Sequence, residues 1–429
     1  MSPESPAHRS SPSADPTDVL IVGAGPAGLS LAASLGQAGF RVTVLDQQDE
    51  ASLASPAPDG REIALTHPSG DTLRRLGSWQ MLAAHEIGRI TEAQVHDGPV
   101  GQHAALQLAA PGAHRSGADH LGWIVPNHAL RRTAWQAASA TPGVRIVCGA
   151  QVGRVATLAT HAEVDYTQPS SAAETPVTRL QAPLVVAADS RFSATRRQLG
   201  IGAQMTDFGR TVIVCRMRHA QPHGGVAHEC FGYARTLAVL PLPDDGQDGT
   251  HRCSVVVTTD TADATALMAQ DAGEFAAQVA TQFQQRLGSM QLVGERHAYP
   301  LVAVYAHRFC AHRCALLGDA AVGMHPVTAH GYNLGLAGVE GLSRVLAEAR
   351  ARGQDIGAAS VLARYARAHH RHALPIYQGT NAIVRLYTDA RPLPRLLRQL
   401  VLQGARRLPP LQAAITRQLT GRGAAPGLR

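Results

Sequence analysis

Short apolar runs closed by turn residues recur through the first three quarters of the chain. Residues 19–22, 41–45, 144–147, 184–187 and 314–317 are each a few residues long and strongly apolar, as strands covered on both faces require. Helical periodicity fills 27–38, ending before Gly39 as a candidate C-cap, and 125–138, with Asn127 as the candidate N-cap. Residues 47–60 are Ser, Pro and Asp rich and predict a loop; 61–65 follows, then 72–76 as a short helix that Gly77 ends. Strands with a loose excursion are expected over 97–120, and an alternating meander over 151–182 with a polar insertion near 168–176. Runs 211–218, 235–242 and 252–258 predict a separate antiparallel sheet, 272–287 an amphipathic helix, and 336–420 long helices. The pattern is that of an α/β chain. Its parallel sheet is interrupted by a second sheet and completed by a helix-rich part.

The first strand runs directly into Gly23-Ala24-Gly25-Pro26-Ala27-Gly28, then a helix, a second strand and Asp46. That order is the layout of a dinucleotide site. Gly23 permits the tight turn, Gly25 lets backbone approach a pyrophosphate, and Gly28 lets helix and strand pack closely. The helix that starts near Ala27 offers unpaired N–H groups to an anion, and Asp46 can accept hydrogen bonds from a ribose. Two later strands also end on an acid, in 187–196 (Asp189) and 317–336 (Asp319). Carboxyl ends of strands are where α/β sheets bind ligands; alternatively, these aspartates are turn residues or helix caps.

Composition narrows the alternatives. The chain has 429 residues, a net charge of +7 and 45% apolar residues; it contains no lysine, so all 39 basic residues are arginine. No dense basic run with interleaved aromatics points to nucleic acid. No apolar stretch reaches the length of a membrane span, and 1–17 reads as a disordered tail without a hydrophobic leader. The six cysteines are expected to be free thiols in a reducing cytoplasm, with Cys215 and Cys253 in the core; Cys310-Ala-His-Arg-Cys314 matches no standard metal spacing.

Taken together, the three loops make the chain resemble the group A flavoprotein aromatic hydroxylases, the para-hydroxybenzoate hydroxylase fold. Gly318-Asp319 resembles the family's second flavin motif, whose Asp holds the ribityl chain. Ala188-Asp189 with Ser193 and Arg196 resembles its middle motif, shared by FAD and transient NAD(P)H, and Arg61 stands where the family has an arginine near the flavin. His325-Pro326, His330-Gly331 and Asn333-Leu-Gly-Leu336 are most similar to the ubiquinone-biosynthesis hydroxylases, and the wording of 323–331 to the branch acting on demethoxyubiquinol at ring carbon 5. Departures are Ala187 and Ser190 in place of glycines, and Val322, Ala329, Ala337 and Gly338 in place of His, Gly and an Arg-Asp pair.

The resemblance implies a Rossmann-like FAD/NAD(P)-binding domain (18–78, 121–190, 297–345), an antiparallel-sheet substrate domain (79–120, 191–296) and a helical, basic C-terminal region (346–429). It implies FAD held by Gly23, Gly25, Ala27, Gly28, Asp46, Arg61, Asp189, Asp319, Gly331 and Asn333. NAD(P)H or another reductant would pass transiently and O₂ be the co-substrate, with a flavin C4a-hydroperoxide donating OH to an electron-rich ring. His330 and His325 are the catalytic candidates; the plainer expectation for both is loop stabilisation. The implied partners are a polyprenyl phenol or quinol and a ubiquinone-biosynthesis complex, in the cytoplasm or at the inner face of its membrane. A hydroxylase of a soluble phenol and a non-catalytic flavoprotein of such an assembly are the alternatives. Residues 385–429 hold nine arginines against Asp389 alone, interleaved with leucines, and read as either a lipid-contacting surface or a solvated helical cap.

Overall fold

The computed structural model describes residues 16–98, 104–109, 119–169, 176–232, 235–245, 248–324, 330–388 and Gly421. A six-stranded sheet forms the base, in the order Cys310–Ala311, Cys314–Leu316, Leu184–Ala187, Val19–Val22, Val42–Leu45, Val144–Val147. All neighbours in it are parallel except the first pair, a hairpin. The apolar runs are continuous because both faces are covered. Val19 and Ile21 pack under the helices Pro26–Gln37, Asn127–Ser139 and Gly331–Ala351, while Leu20 and Val22 face the three-stranded meander Gln151–Thr157, Ala162–Thr167, Thr178–Ala182. Each such side chain removed fully from water contributes roughly 1.5–3 kcal/mol.

The first helix ends one residue before the expected position, with Ala38 as cap and Gly39 left-handed at φ +80°. Asn127 is not the cap of its helix. Pro126 occupies that position, and the Asn127 amide instead donates to Asp59 at 2.7 Å. The 47–60 segment holds a short helix, Glu50–Ala54, capped by Asp49.

The second sheet has eight strands, in the order Val322–Gly323, Met290–Ala306, Ala203–His219, His251–Asp260, Thr236–Pro241, Val226–Phe231, Glu92–Asp97, Leu106–Ala109. It is antiparallel apart from one pair, Val226–Phe231 with Glu92–Asp97. One face packs on the helices Thr261–Ala269 and Ala272–Gln282, with Cys215, Cys253 and Val255 against Phe275, Val279 and Phe283. The second of these helices is shorter than expected, since Gln284 and Gln285 turn left-handed at φ 54°. The strand Met290–Ala306 runs unbroken across 296/297, where a domain boundary was expected. The last described helix is Ala359–Thr388. Of the C-terminal basic region, 389–420 and 422–429 lie outside the described residues.

Candidate functional site

Four loops leave the carboxyl ends of the parallel strands on one side of the base sheet. In the first, Gly23 stands at φ +112°, where L side chains rarely go, and a Cβ there would strike the Ala188 carbonyl. A Cβ on Gly28 would collide with the Gly23 oxygen, so the helix can lie against the turn only because this position is bare. Gly25 differs. Its φ of −67° suits any residue, and a Cβ built on it meets nothing within 4 Å. Neither backbone strain nor protein packing asks for glycine there, which leaves a ligand as the thing a side chain would obstruct.

The helix Pro26–Gln37 begins at Gly25 with no side-chain cap, and Gly331–Ala351 begins at His330, also with none. The two starts converge. A Cβ on Gly318 would lie 3.1 Å from the Ala27 Cβ, and one on Gly335 would lie 3.5 Å from it and 3.8 Å from the Gly318 Cα. Gly331, like Gly25, faces open space. Two uncapped helix N-termini beside bare backbone form a strong anion-binding arrangement. A pyrophosphate fits it.

The acids divide by what already holds them. Asp46 closes the first turn: its Oδ2 accepts from the Ala24 N–H at 2.6 Å and its Oδ1 from the Gln48 N–H at 2.8 Å. Asp189 caps its own loop, accepting from the Ser193 hydroxyl at 2.5 Å and the Thr195 N–H at 3.2 Å. Asp319 is half-exposed and accepts from Arg191 at 3.3 Å. Buried Arg196 ties the two loops together, donating from Nη1 to the carbonyls of Arg191 and Ala320 at 3.1 and 2.9 Å. Arg191 itself reaches the Val302 carbonyl at 3.1 Å, so both arginines brace the Asp319 turn. Sequence reasoning placed Arg196 in its motif but found no task for Arg191. The only available signal was its place between the two acids.

Asn333 sits in the first turn of its helix, and its amide straps that turn to a neighbouring strand. Oδ1 accepts from the Thr66 N–H at 3.0 Å, and Nδ2 donates to the Ala64 carbonyl at 2.8 Å. Arg61 is engaged by Asp59, at 2.9 Å from Nε and 2.5 Å from Nη2, and lies over the Tyr299 ring. It thus stands at the junction with the large sheet rather than among the glycines. His330 is buried at the start of its helix. His325 lies outside the described residues.

The same junction holds a pair that sequence reasoning missed. Arg216 Nε donates to Glu62 at 2.7 Å, and the Glu62 side chain is 1% exposed. Burial outweighs the arginine's attraction and pushes this carboxyl up to about 7.

Residues 16–380 match the FAD binding domain family, and the chain belongs to it. It is 44% identical to the ubiquinone hydroxylase UbiM of Neisseria meningitidis over 94% of this chain and 85% of that protein. It is 28% identical to the 3-demethoxyubiquinol 3-hydroxylase of Escherichia coli, covering 91% and 95%. The p-nitrophenol 4-monooxygenase PnpA of Pseudomonas putida shares the fold, with a TM-score of 0.74 at 18% identity over 95% of this chain and 99% of that one. The chain is an FAD-dependent monooxygenase of the ubiquinone-hydroxylase family.

Proposed function

We propose that this monooxygenase hydroxylates the aromatic ring of a polyprenylated ubiquinone precursor, with ring carbon 5 as the first-choice position. The observation that carries the substrate class is the 44% identity to a ubiquinone hydroxylase along nearly the whole chain. The character of the large sheet agrees. On the face turned from its two helices, Ala93, Ala227 and Leu240 pack with Ile124 of the FAD-binding part, and Val95 and Phe231 pack with Leu106 and Leu108, an apolar wall suited to a prenyl-bearing ring.

In this reading the Gly23–Gly28 turn, Ala27 included, and the N-terminus of Pro26–Gln37 would hold the pyrophosphate through backbone N–H groups. Asp46 takes the adenosine ribose and Asp319 the ribityl hydroxyls. Gly331 leaves room at the second helix start, and Asn333 fixes that start against the strand Glu62–Leu65. Asp189 acts indirectly, holding the loop from which Arg191 and Arg196 brace Asp319. Arg61 closes the junction between cofactor and sheet. Bound FAD, reduced by NAD(P)H, supplies one oxygen atom of O₂ to the ring. His330 then has a proton task, holding the hydrogen of a ring hydroxyl at the helix start, and His325 is a second candidate for it. An electron-rich phenol or hydroquinone is required, because the transferred oxygen is electrophilic.

Expression in a strain lacking only its ring-carbon-5 hydroxylase, grown under ¹⁸O₂, tests this directly. Ubiquinone should return with a labelled oxygen at the position that the strain could not hydroxylate. Flavin turnover with no oxygen gained by any polyprenyl phenol would remove the assignment and favour a soluble phenol.

A further inference from the structure

The strand Val226–Phe231 alternates its side chains across the large sheet. His228 and Cys230 face the helical layer, where His228 meets the Phe283 ring. Ala227 and Phe231 face the other way. Ala227 packs with Ile124 and Ala64 of the FAD-binding part, and Phe231 with Leu106, Leu108 and Leu386. Glu229 lies between these two and so projects from the same apolar face. Its cross-strand neighbours are Val95 and Ala238, and Val256 follows opposite Ala238.

Nothing in the described protein answers this carboxyl. It has no ion pair and no hydrogen bond among the described residues, and burial by itself, with no charged neighbour contributing, pushes it up to about 8. It is half-buried, on a sheet face otherwise lined by apolar side chains. The face reaches toward the second helix start: Ala64, which packs with Ala227 in the cluster around Ile124, accepts through its carbonyl from Asn333 in the first turn of Gly331–Ala351. A polar group held in apolar surroundings without a partner is costly unless a ligand supplies one.

We propose that Glu229 accepts a hydrogen bond from a ring hydroxyl of the substrate, and so selects phenols over their ethers. The contact orients the ring from the sheet side, and above about pH 8, where the carboxyl is ionised, it also raises the ring's electron density. This rests on the reading of the site as an aromatic-ring hydroxylase.

The FAD-loaded full chain tests it with two probes, 2-prenylphenol and its methyl ether, by titrating the perturbation of the flavin absorbance. At about pH 9, above the raised value, where the carboxyl is ionised, wild type should bind the phenol tighter by roughly tenfold or more, the strength of a hydrogen bond to a carboxylate. Glu229→Leu should bring the two affinities together without weakening the ether or lowering flavin content. Glu229→Gln, which keeps an acceptor oxygen at the same place, should retain part of the preference. A preference that survives in Glu229→Leu, or a wild type indifferent to the methyl group, overturns the proposal. The labelled-oxygen experiment is independent of this ratio. A soluble-phenol hydroxylase would fail that one and still show the preference here.

Discussion

Gly25 and Gly28 stand three residues apart in one turn and are bare for opposite reasons, which substitution separates. Gly28→Ala drives a methyl group into the Gly23 carbonyl, so the protein should lose both fold and flavin. Gly25→Val adds bulk to open space, so the apo fold should survive with its melting temperature unchanged while FAD binding disappears. Full flavin occupancy in Gly25→Val would remove the pyrophosphate from this turn. Asp319→Ala takes a charged acceptor from the ribityl hydroxyls. FAD should bind at least about tenfold more weakly, since such bonds contribute roughly 1.5–3 kcal/mol; unchanged affinity by equilibrium dialysis would reduce Asp319 to a turn residue. Gly23 and Gly28 were legible because each has a local geometric duty. The contacts of Asp189 needed the structure: its carboxylate accepts from the Ser193 hydroxyl and the Thr195 N–H, while Ser193 itself caps the helix. The departures from the family pattern also find physical reasons only in three dimensions. Ser190 is not among the residues with positive φ, so no glycine is needed there. At 338, a Cβ would lie 2.9 Å from Leu317 and 3.3 Å from the His369 ring. Glycine in place of the family's acid therefore admits a buried histidine, which stacks on Tyr365 and is pushed down to about 4 by burial.

Among the elements, the strand Glu62–Leu65 joins the second helix start to the large sheet. Its backbone receives Asn333 from the helix start, while Glu62 reaches Arg216 across on the large sheet. The raised carboxyl fixes the sign of a pH effect. Below about pH 4.5 Glu62 is protonated whether folded or not. Between there and about 7 only the unfolded chain ionises, so stability falls as pH rises through this window and then levels. Glu62→Gln cannot ionise in either state. Relative to wild type, its unfolding free energy should gain about 1–3 kcal/mol between pH 4.5 and 7.5. Parallel denaturation curves for the two proteins across that range would show that Glu62 holds no such proton. Elements with unbroken patterns were readable from sequence: 19–22, 144–147 and 184–187 were placed to the residue. The strand Met290–Ala306 was not. Its pairing with Ala203–His219 shifts register twice, and Gly294 turns left-handed inside it at φ +72°. Each irregularity flips the alternation on which strand recognition depends.

At the scale of the molecule, charge is distributed very unevenly along the chain. Residues 1–384 hold thirty arginines against thirty-one acids, so the positive excess of the whole protein resides in its last 45 residues. No described helix is long and apolar enough to cross a membrane; on the proposed function, a prenylated ring would reach the sheet's apolar face from a lipid surface. We propose that the arginine- and leucine-rich end makes this contact: its guanidinium groups meet anionic headgroups and its leucines the acyl boundary. Each basic residue near such a surface contributes about 1 kcal/mol, weakened by salt. The intact chain should therefore sediment with vesicles containing anionic lipid, less so at high salt, and hardly at all with neutral vesicles. A chain ending at Tyr387 should stay in solution with its FAD retained, because the glycine turn, Asp46 and Asp319 all lie upstream. Its turnover of a short-chain phenol should match that of the intact enzyme, while a long-chain phenol presented in vesicles should be hydroxylated far more slowly. Vesicle binding that survives both salt and truncation would move the lipid contact elsewhere on the molecule. Equal loss of turnover on both phenols would instead make the basic end a structural cap of the FAD-binding part.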